Sequence, residues 1–281
     1  SDRVFTEVIG QTEEGREILL VAISDEKGIA NLNAYKEASA RLADPRKTSP
    51  EQMEEIIKNV KPFYYVNCGI HADEDLSPDM SLELAYRLAV SNDPMIRRIR
   101  ENLVVLINPV ANVDGREKMV DWFYRYLKGK TDYDALPRQS PPYWGKYVYV
   151  DANRDAHQLD LSSTQAVAKM YFEYHPVVIH DLHEAIPLLQ TWNGTGPYNP
   201  GLDPIMISEF LEMSFHEMSR MSEQGMPGVW TWDFGEGYGQ PFTESVAMNH
   251  NGIGRGYETF GNTTAETVTR KLDSSDLTVE W

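Results

Sequence analysis

The sequence predicts an α/β fold: a single domain with a mixed, largely parallel twisted sheet and helices on both faces. Three observations carry that expectation. Short apolar runs alternate with helical patterns along 281 residues. Most of these runs are apolar at successive positions rather than at every second one, as in strands covered on both faces. No internal repeat or low-complexity tract breaks the alternation, which argues for one α/β unit rather than a repeat array. A chain of this length can bury a large core.

Taken in order, the strand-like runs are "REILLVAIS" (16–24), "PFYYVNCG" (62–69), "NLVVLINP" (102–109), "KYVYVD" (146–151) and "PVVIHDL" (176–182). Helical patterns lie near 51–60, 78–92, 160–174 and 203–223. Ser77 followed by Pro78 and Asp79 predicts a helix start: a cap, then proline at the first helical position, then an acid near the positive end. Residues 128–145 and 191–204 are dense in turn formers, and 230–242 mixes glycine with aromatics. In an open α/β sheet, ligands bind beyond the carboxyl ends of the strands, where such loops gather. None of the three marks a domain boundary.

Composition narrows the function classes. A net charge of −17 argues against nucleic acid or an anionic membrane as the main partner. No apolar run has the length of a membrane span. The single cysteine, Cys68, excludes an intramolecular disulfide, and its setting in "YYVNCG" predicts burial.

Four polar clusters fall at the C-terminal ends of predicted strands. His71 and Glu74 follow the second run; Asp151, Asn153 and Arg154 follow the fourth. His180, Asp181, His183 and Glu184 end or follow the fifth, and Glu258 sits in "GRGYETFGN", which reads as a short late strand. His71-x-x-Glu74 offers an imidazole and a carboxylate three residues apart. One further histidine, best supplied by His183, would complete a His₂Glu set that leaves zinc an open position. Zinc so held lowers the pKa of its water to about 7 and polarises a carbonyl, which suits amide hydrolysis.

Each cluster alone has a plainer reading. Glu74 fits an acid near a helix start, and His71 a satisfied loop histidine. His180 and His183 fit a surface pair, although strand alternation puts them on opposite faces and so argues against joint ligation. Asp151 and Arg154 fit a routine ion pair, and Glu258 an edge-strand surface acid. In the late strand, alternation gives Glu258 and Phe260 one face and Tyr257 and Thr259 the other, with glycines on both sides that would let it approach a crowded site.

The order of the motifs decides between these readings. "HADE" (71–74), "NPVANVDG" (108–115), "VDANRD" (150–155), "HDLHEA" (180–185) and "YETFG" (257–261) resemble, in sequence order, the M14 family of zinc carboxypeptidases, the carboxypeptidase A-like metallopeptidases. The resemblance spans nearly the whole chain. It implies one catalytic domain over residues 1–281, either trimmed at both ends relative to the family or a catalytic core cut from something longer. It implies one zinc ion per chain held by His71, Glu74 and His183, with Asp151 orienting the first histidine. Asn153 and Arg154 match the pair that holds a substrate's terminal carboxylate. Glu258 matches the glutamate that takes a proton from zinc-bound water and passes it to the leaving amine.

The family also uses an arginine after the "DG" motif to stabilise the oxyanion. Arg125 fits that place by its distance from the motif, and Arg116 is the alternative. Where digestive carboxypeptidases carry serine and tyrosine after the third ligand, this chain has Glu184 and Ala185, which puts the familiar substrate pocket in doubt. Tyr198 and Tyr238 are the candidates for a substrate-capping tyrosine.

The implied activity is hydrolysis of a C-terminal peptide bond, on a peptide or small amide with a free carboxylate. Related zinc enzymes instead deacylate small N-acyl amino acids or trim peptidoglycan stem peptides. A third reading, from another class, is a peptide-binding or zinc-binding module without catalysis. Family habit places such enzymes outside the cytoplasm, either secreted or periplasmic.

Overall fold

The computed structural model describes residues 2–132, 150–185, 189–191, 197–226, 228–231 and 237–260. Eight strands run through them: β1 Val4–Gln11, β2 Glu17–Ile23, β3 Phe63–Cys68, β4 Val104–Asn108, β5 Val178–Ala185, β6 Leu189–Thr191, β7 Val229–Thr231 and β8 Ile253–Phe260. They form one sheet in the order β1-β2-β4-β3-β5-β8-β6-β7. The middle four, β4, β3, β5 and β8, are mutually parallel. Antiparallel pairings lie on either side of them, where β1 joins β2, β2 joins β4 and β6 joins β8. The sheet is therefore mixed, with its parallel character in the centre.

The helices are α1 Glu26–Ala30, α2 Leu32–Ala43, α3 Pro50–Asn59, α4 Leu76–Val90, α5 Pro94–Asn102, α6 Val113–Trp122, α7 Ser162–Tyr174, α8 Pro204–Glu223 and α9 Ser245–Met248. On one face of the sheet, α2, α7 and α9 pack over Leu20, Tyr65, Leu106 and Ile179. On the other, α4 and α5 pack over Val66, Cys68, Ile107 and Leu182. Both faces are covered, which is why β3 and β4 carry apolar residues without alternation. Cys68 is fully buried, as its setting predicts. Among the described residues, no helix is long and apolar enough to cross a membrane.

The runs at 16–24, 62–69 and 102–109 and the helices near 51–60, 160–174 and 203–223 match observed elements to within two residues. The run at 176–182 is longer than expected: β5 continues to Ala185, so His183 and Glu184 lie inside the strand. Of the predicted strand 146–151, residues 146–149 lie outside the described residues, and Val150 and Asp151 are not in a strand. The loop segments 133–145, 192–196 and 232–236 also lie outside them.

The expected start of α4 at Ser77 needs correction. The helix begins at Leu76, and its N-cap Asp75 makes no side-chain capping bond. The Ser77 hydroxyl accepts instead from the Gly69 backbone N–H at 3.2 Å. The cap-then-proline pattern operates at other helices, with Ser49–Pro50 closing a capping box through Gln52, and Asp93–Pro94 and Asp203–Pro204 starting α5 and α8. At α4 a tertiary contact replaces the local cap. Gly69 takes a positive φ of 62°, and a Cβ there would meet the Pro78 ring at 2.9 Å, so only glycine turns the chain this closely after β3. That turn aims the loop from Ile70 to Asp75 across the end of the sheet.

Asp114, in the "DG" motif at the start of α6, fastens the hairpin edge to the body. Its carboxylate is 1% exposed and accepts from the Thr12 hydroxyl at 2.7 Å, the Glu14 backbone N–H at 3.0 Å and Arg16 Nη1 at 2.6 Å. Asp114→Ala would leave the Thr12 and Glu14 donors without this acceptor. We expect a loss of about 1–3 kcal/mol in urea unfolding; an unchanged midpoint would contradict this role.

Candidate metal centre

Three side chains from distant parts of the chain meet at the C-terminal end of the parallel strands. His71 and Glu74 come from the loop after β3, and His183 from the last part of β5. One carboxylate serves both imidazoles. Glu74 Oε1 lies 2.7 Å from His71 Nδ1, and Glu74 Oε2 lies 2.9 Å from His183 Nδ1. The two Nδ1 atoms are 3.2 Å apart. One donor atom from each residue falls within a 4.8 Å cluster, the only such metal-competent group of three or more among the described residues.

The far nitrogen of each ring is held by an aspartate. His71 Nε2 lies 2.8 Å from Asp151 Oδ1, and His183 Nε2 lies 2.9 Å from Asp181 Oδ2. A carboxylate on the outer nitrogen fixes the tautomer and ring plane and raises the basicity of the inner nitrogen. Both histidines thus turn a supported Nδ1 toward one carboxylate. This donor set fits zinc, whose three-ligand protein sites use imidazole nitrogen and carboxylate oxygen and keep a fourth position open.

The charges of the cluster agree with such a role. Burial opposes a proton on His71, yet the field of Glu74 and the bond to Asp151 overcome it and raise its pKa to about 9. For His183 burial is again opposed, here by Asp181 and Glu74, and the pKa rises well above the ordinary value. Burial would lift Glu74, but the two imidazoles hold it down at about 2. Asp151 is likewise lowered, against its burial, mainly by the hydrogen bond to His71. Two acids nearby go the other way. Burial, reinforced by Glu74, pushes Asp73 up to about 6, and burial pushes Glu184 up to about 7. A site that draws protons onto both imidazoles is one in which a divalent cation can take their place, with the protons released.

Comparison with known proteins gives the same answer. The family model for zinc carboxypeptidases (peptidase M14) matches residues 1–197. The chain belongs to this family. Among solved structures, a metallo-carboxypeptidase from Burkholderia cenocepacia aligns with a TM-score of 0.58 at 15% identity, covering 92% of this chain and 55% of that one. The carboxypeptidase A from Helicoverpa armigera gives a TM-score of 0.57 at 16% identity, with coverage of 94% and 63%. A Pseudomonas aeruginosa metallo-carboxypeptidase in complex with (2-guanidinoethylmercapto)succinic acid gives 0.55 at 17% identity, with coverage of 90% and 55%. At these identities the alignments establish a common fold. The chain spans a little over half the length of these structures. No curated protein matches.

Within this zinc carboxypeptidase fold, the predicted residues differ in how near they come to the cluster. His71, Glu74, His183 and Asp151 are in direct contact. Glu258, outside the residues matched by the family model, lies on β8 in parallel register with His183. Residues paired in this way on neighbouring parallel strands point to the same face, so Glu258 projects on the side of the cluster. Tyr257 projects on the other, its ring centroid 5.1 Å from that of His180. His180 and His183 do lie on opposite faces, and His180 Nδ1 meets the Tyr64 hydroxyl at 3.0 Å. The glycines of β8 serve a different neighbour from the one expected. A Cβ at Gly254 would strike the Glu244 backbone oxygen at 2.4 Å, so the close approach there is to the start of α9.

Asn153 and Arg154 lie on a single 3₁₀ turn, Ala152–Arg154, capped by Asp151. Asn153 is buried, with Oδ1 accepting from the Thr243 N–H at 2.8 Å, which fixes the orientation of its amide. Its Nδ2 lies 3.2 Å from His183 Nε2. That nitrogen also lies 2.9 Å from Asp181 Oδ2, so the Asn153 amide sits at the supported side of the ring. Arg154 is half exposed, 3.8 Å from Asp151 Oδ2, and stacks at 4.3 Å over the Phe242 ring.

Of the two arginines after the "DG" motif, Arg116 is tied to Asp75 and, at 3.1 Å, to Asp79. Arg125 is exposed on a one-turn π-helix, Phe123–Leu127, with its guanidinium 5.9 Å from the Tyr126 ring centroid. Tyr198 packs beside Leu202, Met206 and Phe210, whereas Tyr238 is more than half exposed.

Sequence reasoning placed Asp181 in a polar cluster but gave it no role, and it missed the side chains behind it. Asn67 Nδ2 donates to Asp181 Oδ1 at 2.7 Å, the Tyr65 hydroxyl donates to Asn67 Oδ1 at 2.8 Å, and Asn108 Nδ2 reaches Asn67 Oδ1 at 3.4 Å. All lie on the buried parallel strands. The signal available was a polar residue at one position in each of three apolar runs: Asn67, Asn108 and Asp181. We expect Asp181→Ala to lower zinc affinity roughly 10–100-fold, measured by chelator competition. Parental affinity in a folded variant would rule out the supporting role.

Proposed function

We propose that this chain is a zinc-dependent hydrolase that removes residues from the C-terminus of peptides. The observation that carries the reading is the shared Glu74 carboxylate between two aspartate-backed imidazoles, with Glu258 in register with His183 on the same face. His71, Glu74 and His183 would hold one zinc ion. Zinc there would lower the pKa of a bound water to about 7 and polarise the scissile carbonyl.

The chain's own residues supply the rest. Glu258 accepts a proton from the attacking water and returns it to the leaving amine, and its strand register holds it beside the metal cluster. Arg154 receives the terminal carboxylate of the substrate. Its planar fork suits a bidentate grip, its half exposure leaves it accessible, and the Phe242 ring keeps its plane fixed. Asn153, the other residue of the family's pair, is buried with its amide nitrogen against His183 Nε2, so the grip falls first to Arg154. Arg116 is committed to Asp75 and Asp79, so Arg125 is the arginine of this segment that can swing to a developing oxyanion. Tyr238, more than half exposed where Tyr198 is packed, is the better candidate for a capping residue.

Glu258→Gln tests the mechanism. We expect zinc content to be retained and hydrolysis of peptide substrates to fall by roughly 10²–10⁴-fold. A variant that binds zinc and turns over at the parental rate refutes the assignment. Assaying the parent on C-terminal peptides beside N-acyl amino acids and stem-peptide fragments sets the substrate class, and we expect the peptides to be preferred. Bound zinc with no turnover of any of them would point to a binding module.

A further inference from the structure

Helix α4 begins without a cap of its own. Asp75 makes no capping bond, and Ser77 spends its hydroxyl on Gly69. The first-turn N–H of Leu76 donates instead to Glu184 Oε1 at 2.5 Å. Glu184 arrives from β5 and is buried, with 7% of its surface exposed. It follows His183 directly, and Leu76 lies two residues after Glu74.

Strand alternation explains why this residue reaches the helix and not the cluster. His183 points to one face of the sheet, so Glu184 points to the other, the face that α4 covers. A part-buried hydrogen bond therefore joins the strand that carries one imidazole to the residue two places after the shared carboxylate, beside the direct Glu74–His183 contact. An acid at this place is favoured by the partial positive charge of the helix N-terminus. From the far side, Arg116 of α6 grips Asp75 and Asp79. The segment between Glu74 and Asp79 is thus held from two directions.

We infer that Glu184 is a positioning residue for the metal centre: its carboxylate fixes the separation of Glu74 from His183 and so sets the spacing of the three ligands. The inference rests on the zinc reading above and extends it to a residue that touches neither metal nor substrate. Metal sites tolerate ligand distances only within about 0.2 Å, so a loop released on one side binds the ion less well.

The test compares the parent with Glu184→Ala and Glu184→Gln. Zinc affinity is measured by competition with a chromophoric chelator, and the cobalt-substituted proteins are compared by visible absorption. Glu184→Ala should lose roughly 10–100-fold in zinc affinity and change the cobalt spectrum. Glu184→Gln keeps an oxygen that can accept from Leu76 and should stay close to the parent in both. Asp93→Ala serves as the control, because Asp93 caps α5 by accepting from Met95 N–H at 2.8 Å, away from the cluster. It should lower thermal stability and leave zinc affinity unchanged.

A Glu184→Ala protein that is less stable but binds zinc with parental affinity and spectrum would overturn the inference, leaving Glu184 a helix cap only. If the alanine variant does not fold, Glu184→Asp decides, since its shorter side chain falls short of Leu76. Weakened zinc binding supports the inference, and parental binding overturns it. Failure of the parent itself to bind zinc would overturn the underlying zinc reading, an outcome distinct from a zinc-binding parent with an indifferent Glu184→Ala.

Discussion

A buried carboxylate shared between two imidazoles is the constraint on which the rest of this structure depends. Glu74 accepts from His71 on one oxygen and from His183 on the other, in a place where unpaired charge would be costly. The loop after β3 and the end of β5 must therefore stay within a hydrogen-bond length of each other. Gly69, Ser77, Glu184 and Arg116 all serve that requirement from different elements. Their contacts gather at the first turn of α4, which is why that turn has given up the ordinary local cap.

The parallel centre of the sheet makes the arrangement rigid. Asn108, Asn67 and Asp181 sit on the adjacent strands β4, β3 and β5, and their side chains form a buried chain of hydrogen bonds that ends on His183. Inside a core such bonds favour the one arrangement of the strands that forms them. The same register carries on to β8, where Glu258 stands opposite His183. His183 and Glu258 thus share one set of strand pairings, and the sheet itself holds Glu258 in place.

Membership of the zinc carboxypeptidase family rests on the match over residues 1–197 and agrees with a fold shared with bacterial and insect carboxypeptidases. The departure from the digestive enzymes after the third ligand gains a physical meaning from the fold. Glu184 points to the face opposite His183 and binds the start of α4. The substitution therefore bears on how the ligand loop is held, through a residue that strand alternation turns away from the substrate.

The sequence by itself determined the α/β class, the strands β2, β3, β4, β5 and β8, the helices α3, α4, α7 and α8, and the identity of the residues that meet at the strand ends, because apolar runs and motif order are local properties of the chain. His71 and Glu74 are three residues apart and legible as a pair; His183 and Glu258 became legible only through the order of motifs along the chain. Tertiary structure alone decided what long-range pairing controls: the extension of β5 through His183 and Glu184, the start of α4 at Leu76, the support of His183 by Asp181, and the engagement of Arg116 by two acids. A serine before a proline looks the same in the sequence whether it caps a helix or binds the turn eight residues before it. The Leu76 N–H at the start of α4 is met by a carboxylate more than a hundred residues away, and local propensity carries no record of that partner.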